Sequence, residues 1–80
     1  MNQKEFKIIV NTREKVWTEK KITYEQVVTL AFGSYSSDEN VVYTVTYAKG
    51  EEKHEGTMVK GQSVPIKDGM IFNVTQTNKS

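Results

Sequence analysis

The chain has no cysteine, a single proline and a single histidine among its 80 residues. Without cysteine there is no disulfide, no thiolate zinc site and no iron–sulfur cluster. The lone histidine, His54, lies in the charged stretch Glu51-Glu52-Lys53-His54-Glu55. A catalytic role there needs a positioned partner and a pocket, and the sequence offers neither. A strong charge of one sign is also missing. Eleven basic residues face ten acidic ones, a formal net charge of +1. Such balance provides no field to steer the chain onto nucleic acid or an anionic membrane. Long apolar runs are absent too: Ile8-Ile9-Val10 is too short for a signal peptide, and nothing approaches the roughly 20 residues of a membrane span. A cytoplasmic protein is the expectation. The triplets Asn73-Val74-Thr75 and Asn78-Lys79-Ser80 then match a glycosylation acceptor by chance, because that chemistry needs a secreted context.

What is present reads as one domain, expected over residues 1–80. A chain this short buries about 60–65% of the surface that its unfolded form exposes, so an efficient apolar core must replace the missing staples. Phe6-Lys7-Ile8-Ile9-Val10-Asn11 opens with Phe6, Ile8 and Val10 on one strand face and Ile9 on the other, the pattern of an inner strand. Asn11-Thr12-Arg13-Glu14 reads as a polar turn. Lys15-Val16-Trp17-Thr18 follows as a charged edge strand. Thr23 and Gln26 have the spacing of a capping box, with Ile22 and Val27 as the hydrophobic staple. Tyr24, Val27, Val28 and Ala31, with Leu30 beside them, form a helical apolar stripe that Gly33 terminates. Ser34 to Asn40 is a polar loop.

The run Val41-Val42-Tyr43-Thr44-Val45-Thr46-Tyr47 is unbroken β-branched and aromatic sequence, hence a strand. A Lys49-Gly50 turn and a weaker strand from about His54 to Val59 come next. Gly61, Pro65 and Asp68-Gly69 punctuate an irregular crossing. The last strand is Met70 to Gln76, with Met70, Phe72 and Val74 on one face. One helix cannot cover two sheet faces, so a single mixed sheet with the helix across one side is expected. The first and last strands are the richest in apolar residues on their helix-facing sides, and placing them side by side, parallel and central, defines a ubiquitin-like β-grasp of the α+β class.

Other spacings carry less chemistry. Ser34, Ser36 and Ser37 cluster in a loop without a second histidine or ordered acid. Asp38-Glu39 falls short of the six or more oxygens that calcium takes. Gly56 and Gly61 have phosphate-loop spacing but lack the following Lys-Ser/Thr. Arg13, Lys15, Lys20 and Lys21 around Trp17 hint at single-strand stacking, which the overall charge balance opposes. No enzyme activity, cofactor, metal or nucleic-acid partner is expected.

Several segments together resemble the bacterial multiubiquitin family: Phe6 to Asn11, Ile22 to Val28, Leu30-Ala31-Phe32-Gly33, Val42 to Tyr47, Gly56 to Gly61 and Lys67 to Val74. They follow one another in the family's order over nearly the whole chain. The resemblance implies a ubiquitin-like modifier. Its partners would be activating-type, conjugating-type and deconjugating enzymes of a bacterial ubiquitination-like system, and target proteins. The resemblance also implies a conjugation tail, Gln76, Thr77, Asn78, Lys79 and Ser80. That tail differs from ubiquitin in having no glycine, so a partner accepts it as it stands, or it is trimmed, or the domain only docks. With no apolar residue to anchor it, the tail is expected to fray into solvent from Gln76.

If Phe6, Ile8, Val10, Met70, Phe72 and Val74 face the helix, Ile9 and Ile71 point away from it. Val42 or Thr44 joins them as a partner-binding sheet face if the third strand turns its less aromatic face outward, since grouped apolar side chains on a polar sheet mark docking surfaces. The rival reading is a non-covalent adaptor that binds through this face and is never conjugated. A β-grasp sulfur carrier is a third class, and it also expects a Gly-Gly end.

Overall fold

In a computed structural model, residues 4–50 and 53–78 are described. Strand β1 (Phe6–Val10) turns at Asn11-Thr12 into β2 (Arg13–Trp17), and a short β3 (Lys21–Thr23) leads into helix α1 (Tyr24–Phe32). After the loop come β4 (Val41–Ala48), β5 (Gly56–Met58), β6 (Ser63–Pro65) and β7 (Ile71–Asn78). Five strands form one mixed sheet in the order β2-β1-β7-β4-β5. The first and last strands are parallel and central, with Ile9 opposite Ile71 and Val10 opposite Phe72. This is the expected α+β β-grasp.

The core lies between this sheet and α1, and its members follow from strand alternation. Ile8, Val10, Val45, Phe72 and Val74 from the sheet meet Val27 and Val28 from the helix, all buried. Ile22 and Val27 are both fully buried, as a staple around the helix start requires. Thr23 accepts from the Gln26 amide at 3.1 Å while the Gln26 side chain accepts from the Thr23 amide at 2.9 Å, closing the capping box. At the other end Gly33 adopts φ 84°, and its amide donates to the Thr29 carbonyl. Only glycine takes that left-handed cap without steric cost.

The expectation of a single sheet needs correction. Lys21–Thr23 pairs antiparallel with Ser63–Pro65 as a separate two-stranded ribbon. Segments of three residues are too short to show a period of two. Pro65 fits there because a ribbon edge needs no donor from it. The ribbon also carries in Ile66, a core residue (5% exposed) with no periodic neighbours to announce it. Other boundaries shift: the first turn is only Asn11-Thr12, β5 is confined to Gly56–Met58, and Met70 precedes β7 rather than opening it.

The end of the chain is a further correction. Gln76, Thr77 and Asn78 do not leave the fold; they extend β7 opposite Tyr43, Val42 and Val41 of β4. An apolar anchor is unnecessary because β4, eight residues long, offers a backbone ladder over its full length. Lys79 and Ser80 lie outside the described residues.

The β1–β2 turn carries its own strain. Val10 opposes Arg13 across two residues, and both Asn11 (φ 50°) and Thr12 (φ 70°) are left-handed, as a hairpin turn of this kind demands. Asparagine tolerates this conformation, whereas a β-branched residue is strained by it. The Asn11 side chain uses the geometry. Its Oδ1 accepts from the Val74 amide at 2.7 Å and its Nδ2 donates to the Val74 carbonyl at 3.0 Å, so one side-chain amide replaces the next peptide of β1. Thr12→Gly is expected to stabilise the domain by about 0.5–1 kcal/mol by removing the strain. Asn11→Ala is expected to cost about 2 kcal/mol by leaving the Val74 backbone unpaired. Urea unfolding of the two variants should move the midpoint in opposite directions.

Candidate functional site

Two regions hold the side chains singled out above: the sheet face turned away from α1, and the end of β7. On that face the strand registers place Ile9 of β1 beside Ile71 of β7, and Ile71 beside Ala48 of β4. Three apolar side chains from three adjacent strands thus make one row, each of them only partly buried. Glu14 of β2 closes the row opposite Ile9. Val42 and Thr44 are on this same face and exposed, as expected. They are nevertheless not neighbours of the isoleucines. Val42 is opposite Thr77 and Thr44 opposite Thr75, and at about 3.4 Å per residue Val42 lies about 20 Å along β4 from Ala48. Thr46 and Asn73 lie between. The face therefore splits into an apolar row at one end and a threonine-rich stretch at the other, and Ala48, unremarked in the sequence, belongs to the first.

Beyond Val74, β7 runs Thr75, Gln76, Thr77 and Asn78, all exposed. Among the described residues its one strand neighbour there is β4, since β1 stops at Val10. No buried side chain holds this segment down.

The other side of β4 carries an aromatic cluster. Tyr35 is 5.5 Å from Tyr43 between ring centroids and 6.1 Å from Tyr24 in an edge-on arrangement, while Phe32 stacks on Tyr43 at 5.9 Å. The Tyr24 hydroxyl donates to the Tyr43 carbonyl at 3.0 Å, and the Tyr43 hydroxyl accepts from the Ser36 amide at 3.1 Å. Beside them is an open cleft of about 290 Å³ bordered by Tyr35, Asp38, Val41 and Lys60. The loop residues here do structural work. Ser36 Oγ accepts from the Asp38 amide, and the Asp38 carboxylate accepts from the Asn40 amide. The sequence places Tyr24 in the helix stripe, Tyr43 in the strand and Tyr35 in the polar loop, with no sign of their convergence.

The remaining candidates stay apart. His54 is exposed, and its carbonyl accepts from the Gly50 amide. Gly56 sits in β5 and Gly61 in a turn at φ 89°, so the two do not form one loop. Trp17 is half-buried, and its Nε1 donates to the Lys21 carbonyl at 2.9 Å, which pins the ring to the domain.

One helix over a mixed sheet with parallel first and last strands at its centre is the fold of a ubiquitin-like domain. The multiubiquitin family model matches residues 6–78, and the chain belongs to that family. Searches of curated proteins and of solved structures gave no match. Among the described residues no helix is long and apolar enough to cross a membrane.

Burial raises the Tyr24 phenol above its ordinary value of 10.0, and the nearby Tyr35 adds to the shift. A folded-state value above the unfolded one gives stability that is complete below the unfolded value and declines as pH rises through the folded one. Unfolding followed from pH 9 to pH 12 should therefore show stability falling above about pH 10. Tyr24→Phe should start about 1 kcal/mol lower through loss of its hydrogen bond, and should decline less steeply.

Proposed function

We propose that this chain is a protein modifier of a bacterial, cytoplasmic ubiquitination-like system. A carboxylate at the end of the tail, as it stands or exposed by trimming, attacks the α-phosphorus of ATP in a partner activating-type enzyme. Pyrophosphate leaves and an acyl-adenylate forms. A nucleophile on a conjugating-type partner or an acceptor protein then takes the acyl group and AMP departs. Catalysis belongs to the partners; the domain contributes the acyl group and a surface for recognising it.

The observation that carries this reading is the end of β7. Thr75 to Asn78 are exposed, bury no side chain and pair with β4 alone. Peeling them away breaks ladder hydrogen bonds but withdraws no buried side chain of their own, so an extended tail can enter another protein's active site at modest cost. The Ile9–Ile71–Ala48 row supplies the recognition surface.

That same row favours the second reading, a non-covalent adaptor that docks through the sheet. The two readings part at the tail. Incubated with ATP and the activating-type enzyme of its own system, the chain should acquire a covalent adduct detectable as a mass increase. Removal of residues 76–80 should abolish the adduct while leaving sheet-face binding intact. An intact or trimmed chain that never forms an adduct, with binding unaffected by the deletion, would decide for the adaptor.

A further inference from the structure

Strand β7 has two lanes beside it, and one of them is vacant over its last residues. The Met70 carbonyl accepts from the Ile9 amide at 2.9 Å and the Phe72 carbonyl accepts from the Asn11 amide at 3.0 Å. Val74 turns both its amide and its carbonyl to the Asn11 side chain. Even-numbered residues of β7 thus direct their backbone polar groups toward the β1 side. In an extended strand that alternation continues, so the amide and carbonyl of Gln76 and of Asn78 face the same way.

Two observations on β4 agree with this parity. Tyr43, opposite Gln76, gives its carbonyl to the Tyr24 hydroxyl. Val41, opposite Asn78, donates its amide to the Asp38 carbonyl. Neither pair exchanges bonds across β4–β7. On the vacant side Asn11 is the last group of the β1 lane, and among the described residues no strand pairs with Gln76 or Asn78 there.

Free edges normally carry features that discourage pairing, and charged side chains are the commonest of these. The outer edge of β2 has Arg13, Glu14 and Lys15. The stretch Thr75-Gln76-Thr77-Asn78 has neither charge nor proline, and its two threonines favour strand structure.

We infer that the vacant lane is a self-association site: a second copy of this chain pairs its own Gln76–Asn78 there, antiparallel, about a two-fold axis at Thr77. In that register Gln76 opposes Asn78 of the second copy and Asn78 opposes its Gln76. Each pair exchanges two backbone hydrogen bonds, which satisfies both vacant lanes at once. The Gln76 and Asn78 side-chain amides share one face, where they already meet at 3.4 Å within one chain, and they line up across the axis without like-charge repulsion. Asn11 of each copy stops the ladder one pair further out. So short an interface lies well below the roughly 1,200 Å² of standard ones, so association is weak, with a dissociation constant on the order of a millimolar. It covers the segment that a partner would otherwise take, so self-paired tails are withdrawn from exchange.

The test is dilution of isotope-labelled full chain followed by amide resonances, with sedimentation as the mass readout. Gln76 and Asn78 amides are expected to shift with concentration while Arg13–Trp17 stay still. The double variant Q76K/N78K sets lysine against lysine across the axis and should weaken association about tenfold or more. Q76K/N78E sets lysine against glutamate and should retain it. Both substitutions are at exposed positions whose backbone groups point away from β4, and unfolding curves for the pair should coincide with the parent chain. No concentration dependence at Gln76 and Asn78, the same response in both variants, or shifts confined to β2 would each overturn the proposal. Shifts that appear only when a separate extended peptide is added would assign the lane to a foreign strand and overturn it equally.

Discussion

Everything in this fold hangs on the parallel seam between its first and last strands. Ile9 and Ile71 meet there, and Asn11 and Val74, 63 positions apart, are joined by a reciprocal pair of hydrogen bonds. Without the seam Ile8, Val10 and Phe72 have no common floor, and α1 has nothing to cover. The strand pairing is short, and Asn11 lengthens it by one step. A side chain in a left-handed turn acts there as if it were backbone. The strain accepted at Thr12 is the counterpart, since the turn must present Asn11 in that orientation.

The same seam decides where function can reside. With Asn11 it fills one edge of β7 as far as Val74, while β4 fills the other to Asn78; among the described residues nothing pairs on the first edge beyond Val74. One strand is therefore core over one half and accessible over the other. The sheet face above it groups Ile9, Ile71 and Ala48 in one row, with Val16 and Val42 apolar at separate places on it. That row sits over the seam itself. The apolar row and the exposed final stretch coexist because they occupy opposite ends of β7.

Most of the architecture was legible in the sequence because its signals are local. The capping box at Thr23 and Gln26, the left-handed Gly33, and the alternation of Phe6, Ile8 and Val10 each name one conformation. Adjacency of the outer strands followed from apolarity alone. What escaped was set by pairing rather than by periodicity. The Lys21–Thr23 ribbon is three residues long and finds its partner about forty residues on. Gln76 to Asn78 read as a frayed end because polar side chains were weighed and the ladder that β4 offers was not. Val42 and Thr44 were placed on the right face, but the register that separates them from Ile71 is a property of two strands together. The cluster of Tyr24, Tyr35 and Tyr43 likewise needs three elements in place before it exists.

The seam also orders events during synthesis. A ribosome releases the chain from its amino end, so β1, β2 and α1 emerge long before β7 can supply Phe72 and Val74. Until then the hairpin and helix have no shared interior, and their apolar faces stay open to chaperones and proteases. The domain therefore closes late and all at once, as expected when contacts join the two extremes of a sequence. A message cut short anywhere before Val74 yields a product that never closes, so only chains carrying their final strand persist.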